Sequence, residues 1–270
     1  MNKFIPTPSR SVLELGFFTV HFYALCILLG IAAAIWLTQR RYAHLGGQKD
    51  EIGDFAIVVV PMGIIGGRMY HVISSPGEYF GAGGSPLDAL KIWEGGLGIW
   101  GAILIGALAG FVFFRVKKRS LSFSFLADAI APALAIAQGI GRFGNWFNGE
   151  LFGRPTTLPW ALEIPAAKRG SGFSEFATFH PTFLYEAIWC FAIATLMIYL
   201  PYFKRVAGSG SVFLFYVASY CLGRLAIEII RIDEANQFLG QRINVWVAGS
   251  IFIISSTSLI MRGRANGKLL

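Results

Sequence analysis

A chain of 270 residues is long enough for one or two soluble domains. Its 55% apolar and only 14% charged residues, with a mean hydropathy of +0.59, exclude that class and indicate a polytopic membrane protein. The net charge of +8 lies in no soluble basic run interleaved with aromatics, which argues against nucleic acid as a partner and for loop charge that sets topology.

Seven apolar stretches approach the roughly 20 helical residues that cross about 30 Å of hydrocarbon. Residues 1–10 hold two basic side chains, and the apolar stretch that follows runs past the length of a signal-peptide core to Arg40 and Arg41. It therefore reads as a first span and not as a cleaved leader. Spans are expected near 17–38, 54–74, 97–114, 125–141, 183–201, 211–230 and 243–261, the fourth being short and interrupted by Pro132. Residues 142–182, rich in Gly, Pro and Thr, are too polar to span and too long for a turn. They predict a small extracytoplasmic head inserted into a single transmembrane domain, 1–270. Cys26, Cys190 and Cys221 fall in apolar segments without neighbours at metal-ligand spacing and read as small buried hydrophobes.

Lys and Arg are biased to the loops after spans one, three and five and to the C-terminus, twelve against nine on the other face. The positive-inside rule then puts the N-terminus outside and the C-terminus in the cytoplasm. With that alternation, the outer span ends carry the unusual polar residues: His21 and Tyr23; Arg68 and His71; Glu94 and Trp100; Arg142, Asn145, Asn148 and Glu150; His180, Tyr185 and Glu186; Tyr220, Arg224, Glu228 and Arg231. Six spans aimed at one layer predict a polar chamber near the outer leaflet.

Polar groups at hydrocarbon depth cost roughly 2.5–3.5 kcal/mol per charge on insertion scales and usually face a cavity. The run Gly141 to Gly153 reads as a glycine-broken polar loop in which Arg142, Asn145 and Asn148 are aimed at an anion; the competing reading is a glycine-wedged helix cap. In span six, Tyr220, Arg224, Glu228 and Arg231 recur every three or four residues and share one helical face. Two arginines against one carboxylate leave a surplus charge that an anionic ligand would match, unless the group merely docks helices. Arg68 is weaker, because an arginine near a span end can snorkel to the head groups. Glu186 is assigned no partner. No Ser-His-Asp order, His-Glu-x-x-His or phosphate-cradling Walker run is evident, so neither cofactor nor metal is expected.

The run from Gly141 to Glu150, with Gly153, resembles the signature of the bacterial prolipoprotein diacylglyceryl transferases. Tyr23, Gly66-Gly67-Arg68, Glu94-Gly95-Gly96 with Gly101, His180-Pro181 with Tyr185-Glu186, and Tyr220 with Arg224, Glu228 and Arg231 extend the resemblance over nearly the whole chain. It implies a seven-span plasma-membrane enzyme that moves the diacylglyceryl group of phosphatidylglycerol to the lipobox cysteine of a preprolipoprotein. A thioether forms and glycerol 1-phosphate leaves, as the first step of lipoprotein maturation. On this resemblance Arg142 and Arg224 clamp the phosphate, while Asn145, Asn148, Glu150 and Gly153 shape a head-group pocket with Arg68. Glu228 with Arg231 holds the second arginine, and Tyr23 and Tyr220 position substrate. Many relatives have a histidine near the start of the third span where this chain has Trp100, so His180 is the candidate to take its part. A lipid translocase, a phospholipase using the same clamp, and a structural assembly factor are the rival readings.

Overall fold

A computed structural model describes residues 4–265 apart from 17, 93–94, 117–119, 234 and 236. Three short strands, β1 (Ile5–Pro6) and the hairpin partners β2 (Val12–Leu15) and β3 (Phe18–His21), precede the helices. The helices follow as α1 (Phe22–His44), α2 (Lys49–Ser74), the single turn α3 (Pro76–Phe80), α4 (Ile99–Val116), α5 (Phe123–Asn148), α6 (Thr182–Tyr199), the short α7 (Pro201–Val206), α8 (Ser211–Ile230) and α9 (Ile243–Ala265). Strands β4 (Leu162–Glu163) and β5 (Thr178–Phe179) lie between α5 and α6, and β6 (Gln237–Phe238) and β7 (Gln241–Arg242) between α8 and α9. Among the described residues seven helices are long and apolar enough to cross a membrane: α1, α2, α4, α5, α6, α8 and α9. The protein is a mostly helical, polytopic membrane protein.

Two of the differences from the expected boundaries bear on the site. The first helix begins at Phe22, not residue 17, because β-branched Val12, Thr19 and Val20 favour the β2–β3 ladder, in which Val12 pairs with His21. The fourth begins at Phe123 and runs through Pro132 to Asn148, so the first part of the polar run is helix and not loop. A proline is tolerated inside a membrane helix because its surroundings re-satisfy the freed carbonyl. Gly139 and Gly144 do not break this helix; they receive the rings of Phe191 and Tyr23.

The chain divides into two compact units, 1–41 with 124–270, and 42–123. In the smaller one, α2 and α4 approach at Gly66 and Gly101, where a side chain on either would strike the other's carbonyl, and the Gly98 N–H donates to the Gly67 carbonyl at 2.8 Å.

In the larger unit, α5, α6 and α8 pack through Ala131, Ala135, Ile193, Ala194, Met197, Val212 and Tyr216. The wholly buried Asp128 accepts backbone N–H groups of Gly208 (2.8 Å), Gly210 (2.9 Å) and Phe213 (3.0 Å), which anchors the start of α8 to α5. Above α5, β1, β4 and β5 form a three-stranded sheet in that order, β1 parallel and β5 antiparallel to β4. Its core is Phe152, Leu162, Ile164, Phe179 and Phe183, with Trp146 stacked on Phe183 at 5.9 Å. Gly153 bridges to Arg231 and its N–H donates to the His180 carbonyl, tying this sheet to the ends of α6 and α8.

Candidate active site

Helix α5 ends in a Schellman turn. The Glu150 N–H donates to the Asn145 carbonyl and the Gly149 N–H to that of Trp146, with Gly149 at φ +60°, a conformation that suits glycine. The reversal swings Glu150 back over the last turn, where its Oε1 accepts from Asn145 Nδ2 (2.9 Å) and Asn148 Nδ2 (3.2 Å). The spacing Asn-x-x-Asn-Gly-Glu is thus the recipe for one closed polar triad. Arg142, one turn earlier, directs Nη1 to Asn145 Oδ1 at 3.5 Å and Nη2 to the Tyr220 hydroxyl at 3.4 Å. The Tyr23 ring lies against Gly144 on the same turn.

From Arg142 an alternating chain of ions crosses α5, α6 and α8. Arg142 Nη2 lies 2.5 Å from Glu186 Oε2; Glu186 Oε1 lies 3.1 Å from Arg224 Nη1; Arg224 Nη2 lies 2.8 Å from Glu228 Oε2. Glu228 Oε1 is 2.6 Å from Arg242 Nε, Arg242 Nη2 is 2.9 Å from Asp233, and Asp233 takes a two-pronged contact from Arg231 at 2.6 and 2.7 Å. The Glu228 side chain is fully buried and that of Glu186 is 7% exposed. Charges so removed from water persist only when paired, and alternation of sign gives each a counter-ion. Burial works to raise the Asp233 pKa, but the hydrogen bonds and charge of Arg231, with Arg242, outweigh it and hold that carboxyl below the usual range.

The sequence left one positive charge over in span six, two arginines to one carboxylate, and another on Arg142; the structure adds three more ions, Glu186, Asp233 and Arg242. Four arginines face three carboxylates, so one positive charge is left, because Glu186 and Asp233 supply counter-ions that were not assigned. Arg231 was expected to lean on Glu228; it stands 4.0 Å from that carboxylate and is held by Asp233. Helix α8 stops at Ile230, so Arg231 leaves the helical face that the spacing implied.

The structure therefore brings together Arg142, Asn145, Asn148, Glu150, Tyr220, Arg224, Glu228 and Arg231. His180 stands in a different group: its Nδ1 is 3.1 Å from the Tyr185 hydroxyl, which also accepts the Trp160 indole N–H at 3.0 Å. Arg68 belongs to the smaller unit and is no snorkelling residue. It is buried and its guanidinium donates to the carbonyls of Asp88, Ala89 (2.8 Å), Gly95 (2.7 Å) and Gly96 (3.1 Å). A side chain at Gly96, where φ is +67°, would strike that guanidinium. Glu94 lies outside the described residues, and Trp100 is 43% exposed in the first turn of α4. Glu186, Asp233 and Arg242 were the site members that sequence reasoning missed. For Glu186 the signal was present: a carboxylate in the second turn of a span needs a cation as much as an arginine needs an anion.

Fold and site together define a multi-pass membrane protein in which the ends of α5, α6 and α8 bring together paired ions and a Schellman-turn triad. The family model described as prolipoprotein diacylglyceryl transferase matches residues 10–261. The chain is 48% identical to phosphatidylglycerol–prolipoprotein diacylglyceryl transferase 2 of Streptomyces coelicolor over 259 residues, 96% of this chain and 80% of that protein. It is 51% identical to the phosphatidylglycerol–prolipoprotein diacylglyceryl transferase of Corynebacterium glutamicum over 259 residues, 92% and 81%, and 45% identical to that of Bifidobacterium adolescentis over 269 residues, 96% and 80%. The chain belongs to the prolipoprotein diacylglyceryl transferase family.

Proposed function

We propose that this protein transfers the diacylglyceryl group of phosphatidylglycerol to the lipobox cysteine of a preprolipoprotein signal peptide. The cysteine thiolate attacks the glycerol carbon that bears the phosphate, the carbon–sulfur bond forms as the carbon–oxygen bond breaks, and the electron pair leaves on the phosphate of glycerol 1-phosphate. The observation that carries the reading is the Arg142–Glu186–Arg224–Glu228 chain: two guanidiniums from different helices are held on either side of one buried carboxylate. Such preset donors stabilise charge that grows on a leaving phosphate without reorganising as it grows. Arg142 and Arg224 are the clamp; Glu228, with Arg231 beyond it, fixes the second arginine. Asn145, Asn148 and Glu150 shape the head-group pocket, Gly153 lets the head approach the ends of α6 and α8, and Tyr23 and Tyr220 position substrate. Arg68 holds the carbonyls of Asp88, Ala89, Gly95 and Gly96 within the smaller unit.

His180 is the proposed acceptor of the thiol proton, in place of the histidine that Trp100 replaces. Its second ring nitrogen has no protein partner among the described residues. Beyond the end of α5 at Asn148, the rest of segment 142–182 is the extracytoplasmic head, with the N-terminus outside the plasma membrane and the C-terminus in the cytoplasm, in keeping with the Lys and Arg bias.

The test is transfer in detergent from phosphatidylglycerol to a lipobox peptide, read by peptide mass. A diacylglyceryl increment that disappears when the peptide cysteine is changed to serine is the expected result. Release of free diacylglycerol without any peptide product would overturn the reading in favour of a phospholipase.

A further inference from the structure

Beyond the buried end of the ion chain the structure opens a cavity of about 720 Å³ between the end of α8, the β6–β7 hairpin and α9. That volume suits a small polar ligand. Its charged walls are Arg154, Arg231, Arg242, Glu228 and Asp233, and Gln237 and Gln241 line the hairpin side. The two carboxylates are already occupied, Glu228 by Arg224 and Arg242 and Asp233 by Arg231 and Arg242. A cation entering here would find no open acceptor among them, and the five charges sum to one positive.

Arg154 differs from the other two arginines. Its main chain is pinned on both sides, the N–H to the Ile230 carbonyl at 2.9 Å and the carbonyl to the His180 N–H at 3.0 Å. Its guanidinium, by contrast, makes one contact, Nη2 to the Ile229 carbonyl at 2.8 Å. Its other N–H groups, and the side-chain amides of Gln237 and Gln241, have no protein partner among the described residues. A rigidly rooted arginine with a free planar edge beside two amide donors is the donor set for a phosphate oxygen pair. A phosphate monoester, carrying roughly −1.5 to −2 at neutral pH, meets the surplus charge.

We propose that this cavity is a phosphate-binding subsite, separate from the Arg142–Arg224 clamp, with Arg154 as its specificity-determining residue. It rests on the proposed transfer reaction only for the source of its ligand. The water-soluble glycerol phosphate leaves through it, since Glu228 and Arg242 form both the wall of the cavity and the next links after Arg224.

Calorimetric titration of the full chain in detergent with glycerol 1-phosphate tests this without requiring turnover. Binding is expected, weakened about tenfold or more in Arg154→Gln. Gln241→Glu, an exposed change that adds a repelling charge, should weaken it similarly. In parallel, the KM for phosphatidylglycerol is measured. An unchanged KM with weakened titration identifies the released monoester as ligand; a raised KM with no soluble binding keeps the phosphate subsite and assigns it to the lipid head group. If both variants keep the parent's unfolding temperature, KM and titration, the proposal is overturned. A protein that binds glycerol 1-phosphate through Arg154 yet transfers no lipid would overturn the transfer reading alone.

Discussion

Glu186 is the hinge of the site at the residue level. It is the shared counter-ion of Arg142 and Arg224, so Glu186→Gln leaves two guanidiniums facing a neutral amide. Removing one partner of a buried pair costs roughly 3–5 kcal/mol, and thermal unfolding in detergent should show a loss of that order together with a fall in transfer. Arg142→Ala should lose transfer by about 100-fold or more, the scale of one lost donor to a developing oxyanion, while the protein still inserts. Asp233 makes a separate, pH-readable contribution. Its folded pKa lies below its unfolded value of about 3.9, so the stability it supplies is present above that value and disappears as pH falls through the folded pKa. Unfolding midpoints of the parent should therefore drop more steeply below about pH 4 than those of Asp233→Asn, a difference that vanishes if the arginines hold Asp233 no more tightly in the folded chain than in the unfolded one.

Among the elements, α5 shows how a local rule can be read and still be placed wrongly. The glycines of residues 141–149 pointed to a loop, yet a helix inside a membrane tolerates glycine and uses it for close packing. Only Gly149 needs its special backbone. Gly149→Ala should cost about 1–2 kcal/mol from the left-handed backbone alone and loosen Glu150 from Asn145 and Asn148, which hydrogen exchange at the Glu150 amide would register. The start of α8 depends on a residue from another helix. Asp128→Ala strands three backbone donors, each worth about 1–3 kcal/mol when left unsatisfied, and is expected to reduce the yield of folded protein far more than Asp128→Asn, which keeps an acceptor. Helix existence was legible because hydropathy over some 20 residues is a strong signal. The hairpin before α1 was not, because its apolar residues are as suited to a span as to a ladder.

For the molecule as a whole, the charge bias of the loops predicts that a fluorescent protein fused to the C-terminus fluoresces and that alkaline phosphatase fused there is inactive; the opposite pair of results would reverse the proposed orientation. Composition, hydropathy and the Lys and Arg pattern determined by themselves the class, the number of spans and the expected orientation, because transfer into lipid is a sum over local residues. The motif residues and their family were likewise legible, since Arg142, Asn145, Asn148, Glu150 and the α8 residues stand at fixed short spacings. Apart from Arg224 and Glu228, four positions apart on one helix face, which ion pairs with which was decided only by the tertiary structure. Glu186 lies 44 positions from Arg142 and 38 from Arg224 along the chain, and a Coulomb contact depends on distance in space, which no local spacing records. The same holds for Arg242, 14 positions beyond Glu228 and brought back to it by the β6–β7 hairpin; Asp233 is only two positions from Arg231 and takes it because the helix has ended at Ile230.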